Sequence, residues 1–235
     1  MSQSAPAPAC ILFDLDGTLL DTAADFSRIL NRMRVERGLP ELPYAAIRER
    51  VSDGARAMVS LCFDTQEGAA GFEALKAEFL QRYETGLAVQ TSPFEGIETM
   101  LSELEQRGLS WGIVTNKPSR YTHLLMDHLG WWERCAAIVC ADDVPVAKPA
   151  PDALLKAAAD AGMRPKQCWY VGDHRRDIEA ASVAAMISVA CSYGFVHPDD
   201  PATEWQADFV IDTPAQLIKL LDNQNTGQPE SRNTA

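Results

Sequence analysis

The feature that most constrains the fold is an alternation of short apolar stretches with helical patterns along most of the chain. Six stretches are short and apolar enough to be buried strands. They are residues 10–15, 110–115, 136–140, 167–171, 187–191 and 208–211. Between them lie amphipathic helix patterns, such as 97–104, which is closed by Gly108. Strands that alternate with helices predict an α/β fold with a doubly wound parallel sheet.

One long interval departs from this alternation. Residues 22–91 contain helical apolar stripes and no convincing strand. Two short connections would join this interval to the rest of the chain, an arrangement that suits a lid over the end of the first strand. The sequence therefore predicts a helical cap at 22–91 inserted into a core of 9–21 and 92–222. The polar stretch 223–235 has no periodicity, and we expect a disordered tail there.

The charge balance excludes some partners. There are 33 acidic and 21 basic residues, for a formal net charge of −12, which disfavours non-specific contact with nucleic acid or an anionic membrane. No apolar run reaches the ~18 residues that a membrane span needs, and no secretion signal is visible. The six cysteines form no C-x-x-C pair, so reduced thiols are expected. We expect a cytoplasmic monomer or dimer whose anionic ligands meet a locally placed cation.

Polar residues follow several of the predicted strands. They are Asp14, Asp16, Thr115, Asn116, Lys148, Asp173 and Asp177. In a doubly wound sheet, ligands bind beyond the carboxyl ends of the strands. Carboxylates, a hydroxyl and a lysine are therefore expected to converge at one edge of the sheet and form a site. The alternative, in which these are solvated turn residues and a surface lysine, is disfavoured because so many of them fall at this edge.

Taken together, these residues resemble the haloacid dehalogenase superfamily, whose four motifs appear in order as DLDGT, Thr115, Lys148 and GDHRRD. The resemblance implies that Asp14 is a nucleophile that forms an aspartyl phosphate. It implies that Asp16 protonates the leaving oxygen and then deprotonates the attacking water. Thr115 and Asn116, together with Lys148, would bind the phosphoryl group of the substrate.

A phosphate ester among these carboxylates requires a cation. Each pair of like unit charges at ~4 Å costs ~4 kcal/mol at an effective dielectric constant of ~20. Magnesium prefers hard oxygen ligands. The resemblance implies a Mg²⁺ site formed by Asp14, Asp173 and the backbone carbonyl of Asp16, with Asp177 steadying it from behind. Together with Lys148, the ion would offset the charge of the transferred group.

The second aspartate narrows the reaction class. Haloacid dehalogenases themselves lack a residue equivalent to Asp16, because a halide needs no proton, so that branch is disfavoured. Phosphatases and sugar phosphomutases both keep it, and the motif alone does not separate them. A binding protein that has lost turnover is a further alternative, but none of the four motifs has decayed.

Only resemblance to known families indicates which phosphate ester is the substrate. The helical insert resembles the cap of the phosphoglycolate phosphatase branch, which acts on small phosphorylated metabolites. Stretches such as SDGARAMV, WGIVTNKPSRY and GDHRRDIEA resemble bacterial N-acetylmuramic acid 6-phosphate phosphatases, whereas 2-phosphoglycolate is the alternative substrate. Both esters carry a carboxylate. Arg56 in the insert is a candidate partner for it, or else an exposed residue at a helix start. His174, Arg175 and Arg176 open the helix that follows Asp173; they either contact the substrate or lie on the surface, and the surface is favoured.

Overall fold

The computed structural model describes residues 7–226. The strands in this range, β1 to β8, are Cys10–Phe13, Leu20–Asp21, Ser92–Pro93, Ser110–Val114, Ile138–Val139, Cys168–Gly172, Ile187–Cys191 and Phe209–Ile211. The α-helices, α1 to α9, are Ala23–Val35, Tyr44–Arg48, Gly54–Phe63, Phe72–Gly86, Ile97–Gln106, Ser119–Leu129, Asp152–Asp160, Arg175–Val183 and Pro214–Thr226. No helix between residues 7 and 226 is long and apolar enough to cross a membrane.

Six strands form one parallel sheet in the order β5-β4-β1-β6-β7-β8. The central strand β1 is buried on both faces. Ile11 and Phe13 pack into the apolar cluster that contains residues of α5, α6 and α9, whereas Cys10 and Leu12 pack into the cluster with α7 and α8. Successive side chains of a strand point to opposite faces, so a strand covered by helices on both sides has to be apolar throughout. The predicted doubly wound α/β fold is confirmed.

The predicted strands agree closely with the observed ones. The stretch 187–191 matches β7 at both ends, while 136–140 is reduced to the two residues of β5. All six cysteines are free thiols, as expected from their spacing.

The interval between β2 and β3 contains α1 to α4, which pack around an apolar cluster of their own. The two short strands pair antiparallel, with Leu20 opposite Pro93 and Asp21 opposite Ser92. The chain therefore leaves and re-enters the core through one two-stranded ribbon. We refer to α1–α4 as the insert. That residues 22–91 form a separate cap domain stays a prediction.

A buried carboxylate fastens the two ends of this insert together. Asp25, in the first turn of α1, is fully buried and accepts hydrogen bonds from the backbone N–H groups of Val89, Gln90 and Thr91 at 3.0–3.2 Å. Burial alone would raise the pKa of Asp25, but hydrogen bonds from Arg28, Thr91 and the backbone hold it below its ordinary value. The return segment is thus tied to the helix that begins the insert.

The predicted tail needs one correction. Helix α9 continues to Thr226, so residues 223–226 are helical rather than disordered. Leu217 and Leu221 anchor α9 in the core, and a helix that is already formed can extend by one backbone hydrogen bond per added residue without further apolar contacts. The remainder of the tail, 227–235, lies outside the described residues.

Candidate active site

The carboxyl ends of β1, β4 and β6 bring together most of the residues singled out in the sequence. Asp14, Thr115 and Asp173 each follow one of these strands directly and are at most 3% exposed. The Nζ atom of Lys148 lies 3.1 Å from Asp14 Oδ1 and 2.8 Å from Asp177 Oδ1. We call these five residues the floor of the site. The expected convergence at one edge of the sheet is therefore observed.

Lys148 is held from several directions. Its Nζ donates hydrogen bonds to the carbonyl oxygen of Val114 at 3.0 Å and to the hydroxyl of Tyr170 at 2.6 Å. Asn116 fixes its backbone, since Asn116 Nδ2 donates to the Lys148 carbonyl at 2.9 Å and Asn116 Oδ1 accepts from the Lys148 N–H at 3.0 Å. The Asn116 side chain, expected to bind substrate, is thus occupied in holding Lys148, although the residue still borders the cleft.

The three buried carboxylates of the floor form an acidic cluster. Asp14, Asp173 and Asp177 each offer an oxygen within 4.8 Å of the others. Burial together with the charges of Asp14 and Asp177 raises the pKa of Asp173 to about 7. Burial also opposes ionisation of Asp14, but Lys148 and Arg176 outweigh it and hold the pKa of Asp14 below its ordinary value. The cluster has more negative charge than its lysine neutralises, and its donors are all hard oxygens, so it fits a Mg²⁺ ion.

The carboxylates of the acidic cluster differ in the hydrogen bonds and ion pairs that they already make. Asp177 receives Lys148 on Oδ1 and the His174 N–H on Oδ2 at 3.1 Å, which leaves it well placed to support the cluster from behind. Asp173 is oriented by the hydroxyl of Thr18 at 3.1 Å and by the hydroxyl of Ser52, in the insert, at 3.0 Å.

Gly17 of the DLDGT motif is required by the same carboxylate. Its φ of +86° is unfavourable for other residues, and a Cβ atom there would lie 2.0 Å from Asp173 Oδ2. The loop after β1 can therefore approach the acidic cluster only with glycine at this position.

Asp16 lies apart from the acidic cluster and faces a second lysine. Lys117 Nζ lies 3.1 and 3.0 Å from the two carboxylate oxygens of Asp16 and donates to the Tyr83 hydroxyl at 2.9 Å. Burial would lower the pKa of Lys117, but Asp16 and Tyr83 reverse the effect and hold it above its ordinary value. Lys117 was not among the predicted site residues; its position next to the Thr115-Asn116 pair in TNKP was the available signal.

A cavity of about 330 Å³ opens above the floor. Its opposite side is apolar and comes largely from the insert. We call this side the cap wall; it consists of Phe26, Met58, Phe79, Leu80, Tyr83 and Tyr121. A larger surface depression of about 720 Å³ runs beside α1, but it is lined by none of the predicted site residues. The site is therefore a cleft with a charged floor and an apolar wall.

The structure places Arg56 outside the cleft and Arg176 at its lining. Arg56 pairs with Glu67 at 3.2 Å, its side chain is 64% exposed, and it does not line the cleft. Helix α3 presents Ala55 and Met58 to the cleft, and successive helical residues are ~100° apart, so Arg56 faces solvent. Arg176, for which a surface position was favoured over a substrate contact, lines the cleft, and its Nε is buried without a hydrogen-bond partner among the described residues. Arg175 does lie at the surface, where it pairs with Asp200.

Comparisons with known proteins agree with this geometry. Residues 11–191 match the family of haloacid dehalogenase-like hydrolases. The chain is 44% identical over 217 residues to an N-acetylmuramic acid 6-phosphate phosphatase of Pseudomonas putida, covering 92% of this chain and 97% of the relative. It is 48% identical over 210 residues to a phosphoglycolate phosphatase of Xanthomonas campestris, covering 89% and 95%. A crystal structure of a predicted phosphoglycolate phosphatase from Haemophilus somnus superposes with a TM-score of 0.80 at 24% identity, covering 91% and 98%.

The parallel sheet, the helical insert and the four motifs at the strand ends are together typical of one class of protein, the haloacid dehalogenase-like hydrolases. The chain belongs to the haloacid dehalogenase-like hydrolase family. Within that family it is a phosphoric monoester hydrolase, in agreement with its curated relatives.

Proposed function

We propose that this phosphatase is Mg²⁺-dependent and acts through an aspartyl phosphate on Asp14. The observation that supports it most is the state of Asp14, a buried carboxylate kept ionised by Lys148 at the bottom of a cleft. Lys148 and the Leu15 N–H both contact Oδ1, which leaves Oδ2 to attack phosphorus. A buried anion with one free oxygen is a suitable nucleophile.

The proposed mechanism has two displacements at phosphorus, the first by Asp14 and the second by water, and the other site residues assist in each. In the first, Asp14 Oδ2 bonds to phosphorus while the ester P–O bond breaks, and Asp16 gives its proton to the leaving oxygen. In the second, Asp16 takes a proton from water as the water oxygen attacks phosphorus, which releases phosphate and restores Asp14. Lys148 offsets the charge of the phosphoryl oxygens, and Thr115 donates a hydrogen bond to one of them.

The metal belongs to the same proposal. Asp14, Asp173 and the backbone carbonyl of Asp16 would hold Mg²⁺, supported by Asp177, and the bound ion supplies positive charge beside the phosphoryl oxygens. Arg176 also lines the cleft and adds a further positive charge there. The chain as a whole has a negative net charge, so such a local cation favours binding of an anionic substrate.

The proposed substrate is N-acetylmuramic acid 6-phosphate, with 2-phosphoglycolate as the alternative. The names of the relatives support both. The cleft favours the larger ester, because a two-carbon acid has no apolar surface to cover the cap wall, whereas an amino sugar with a lactyl group does. The relevant pathway would be peptidoglycan recycling.

The test is a comparison of phosphate release from the two esters by purified protein with magnesium. We expect a higher kcat/KM on N-acetylmuramic acid 6-phosphate. A clear preference for 2-phosphoglycolate would transfer the assignment to the alternative, and conversion of a sugar phosphate into an isomer without phosphate release would indicate a mutase.

A further inference from the structure

The proton donor of the proposed mechanism does not stand alone. The Asp16 carboxylate is held at both oxygens by Lys117 Nζ, at 3.0 and 3.1 Å. The Lys117 side chain is 5% exposed and that of Asp16 is 18% exposed, so the pair lies at the border of the cleft. A paired cation at both oxygens restricts the rotation of the carboxylate.

Lys117 is itself fixed by the insert. Its Nζ donates to the hydroxyl of Tyr83 at 2.9 Å and lies 4.7 Å from the centre of the same ring and 5.1 Å from that of Phe26. Tyr83 belongs to α4 and Phe26 to α1, and the two rings stack with centroids 4.4 Å apart. The insert thus surrounds the ammonium group with an acceptor and two aromatic faces.

The contact joins three distant parts of the chain. Asp16 lies in the loop after β1, Lys117 in the loop after β4, and Tyr83 in the insert. The Lys117 backbone N–H donates to Thr115 Oγ1 at 3.2 Å. This hydrogen bond fixes the backbone of Lys117 beside a residue of the floor. Separation of the insert from the core would remove the Tyr83 hydroxyl and both rings from the lysine.

We propose that Lys117 is a positioning residue for the proton donor Asp16, and that Tyr83 completes this contact only when the insert is packed on the core. This inference rests on the proposed function. As the ester P–O bond breaks, the proton passes from Asp16 to the leaving oxygen, and the carboxylate left behind is the form that Lys117 binds. The insert then contributes to chemistry as well as to the wall of the cleft.

The test separates proton donation from every other step. The release of the alcohol in the first turnover is measured with two substrates. One is the sugar ester N-acetylmuramic acid 6-phosphate, and the other is p-nitrophenyl phosphate. The sugar alkoxide leaves poorly without a proton, whereas nitrophenolate needs none. Lys117→Met keeps the length of the side chain and removes its charge.

We expect Lys117→Met to slow the first turnover of the sugar ester by about a hundredfold, in the range typical of lost acid catalysis, with KM changed only slightly. The first-turnover release of nitrophenolate should change by less than about threefold. Asp16→Asn should show the same split, and the double variant should lose little more than either single one, because both remove the same step.

Tyr83→Phe is a milder probe, since it keeps the ring that stacks on Phe26 and deletes only the hydroxyl. It should show the same split at about tenfold, the scale of a hydrogen bond to a charged group. Tyr44→Phe on α2, outside the cleft, is the matched control and should change neither rate. Tyr83→Phe also carries the test if Lys117→Met does not fold, as shown by thermal unfolding.

An equal loss on both esters in Lys117→Met and Tyr83→Phe, or no loss on either, would overturn the inference. Failure of the proposed function would be seen differently, because the unmodified protein itself would then release neither alcohol.

Discussion

The floor and the cap wall face each other across one cleft but are built in different ways. The floor comes from loops at strand ends and is fixed by short polar contacts, such as those of Lys148 with Asp14 and Asp177. The cap wall comes mainly from helices and is fixed by packing of aromatic and aliphatic side chains. We propose on this basis that the floor performs the chemistry, while the cap wall selects the substrate and, through the contact of Tyr83 with Lys117, assists the proton donor.

The largest effect should come from the floor. Asp14→Asn keeps the size of the side chain but removes the attacking oxygen anion, so kcat should fall by several orders of magnitude. Asp199→Asn, at an aspartate whose side chain is 93% exposed, should leave kcat unchanged. Both variants should retain the circular dichroism of the unmodified protein. A folded Asp14→Asn variant with substantial activity would remove Asp14 from the nucleophile's role.

Metal removal should be almost as severe. EDTA should abolish phosphate release and added Mg²⁺ should restore it, because the acidic cluster needs a cation before it can accept a phosphate ester. Calcium should substitute poorly, since its looser coordination misplaces the nucleophile. Full activity in the presence of chelator would contradict the proposed chemistry of the floor.

A third prediction concerns the stability of the metal-free floor. The pKa of Asp173 is raised to about 7 from an ordinary 3.8, so the folded protein keeps a proton that the unfolded chain releases. The free energy of unfolding should therefore fall as pH rises from about 4 to about 7 and stay at the lower value above that. Asp173→Asn cannot ionise and should escape this loss.

The measurement is urea unfolding of both proteins in EDTA at pH 5 and pH 8. Between these two pH values the variant should gain roughly 3 kcal/mol of stability over the unmodified protein, since most of the loss from ionising Asp173 falls in this range. A difference between the two proteins that does not depend on pH would mean that Asp173 is ionised throughout.

The smallest effects should come from the insert. Leu80 is half-buried in the cap wall, and Leu80→Ala should lower kcat/KM on N-acetylmuramic acid 6-phosphate by about tenfold while changing that on 2-phosphoglycolate by less than twofold. Arg56→Ala should change neither value by more than about twofold, because Arg56 faces solvent and pairs with Glu67. A selective loss in Arg56→Ala would instead place this arginine at the substrate carboxylate.

The floor and the cap wall also differ in how much of them could be predicted from the sequence. The strands were predictable because burial on both faces demands apolar runs, and the floor because its residues follow those runs directly. Lys117 was missed because its contacts with Asp16 and Tyr83 join segments 101 and 34 residues away, which no local pattern reveals. The sequence left two alternatives open for Arg56 and for Arg176, because the rotation of a helix about its axis is set by tertiary packing and not by the residue itself.

A covalent intermediate at Asp14 is the central step of the proposed mechanism. The unmodified protein with Mg²⁺ can be mixed with N-acetylmuramic acid 6-phosphate, quenched within the first turnover and reduced with borohydride, which converts an aspartyl phosphate to homoserine. Mass spectrometry of the peptide that contains ILFDLDGTLLD then locates the modified residue. We predict homoserine at position 14 and an unmodified Asp16. Modification at another aspartate, or none while phosphate is released at full rate, would contradict the account.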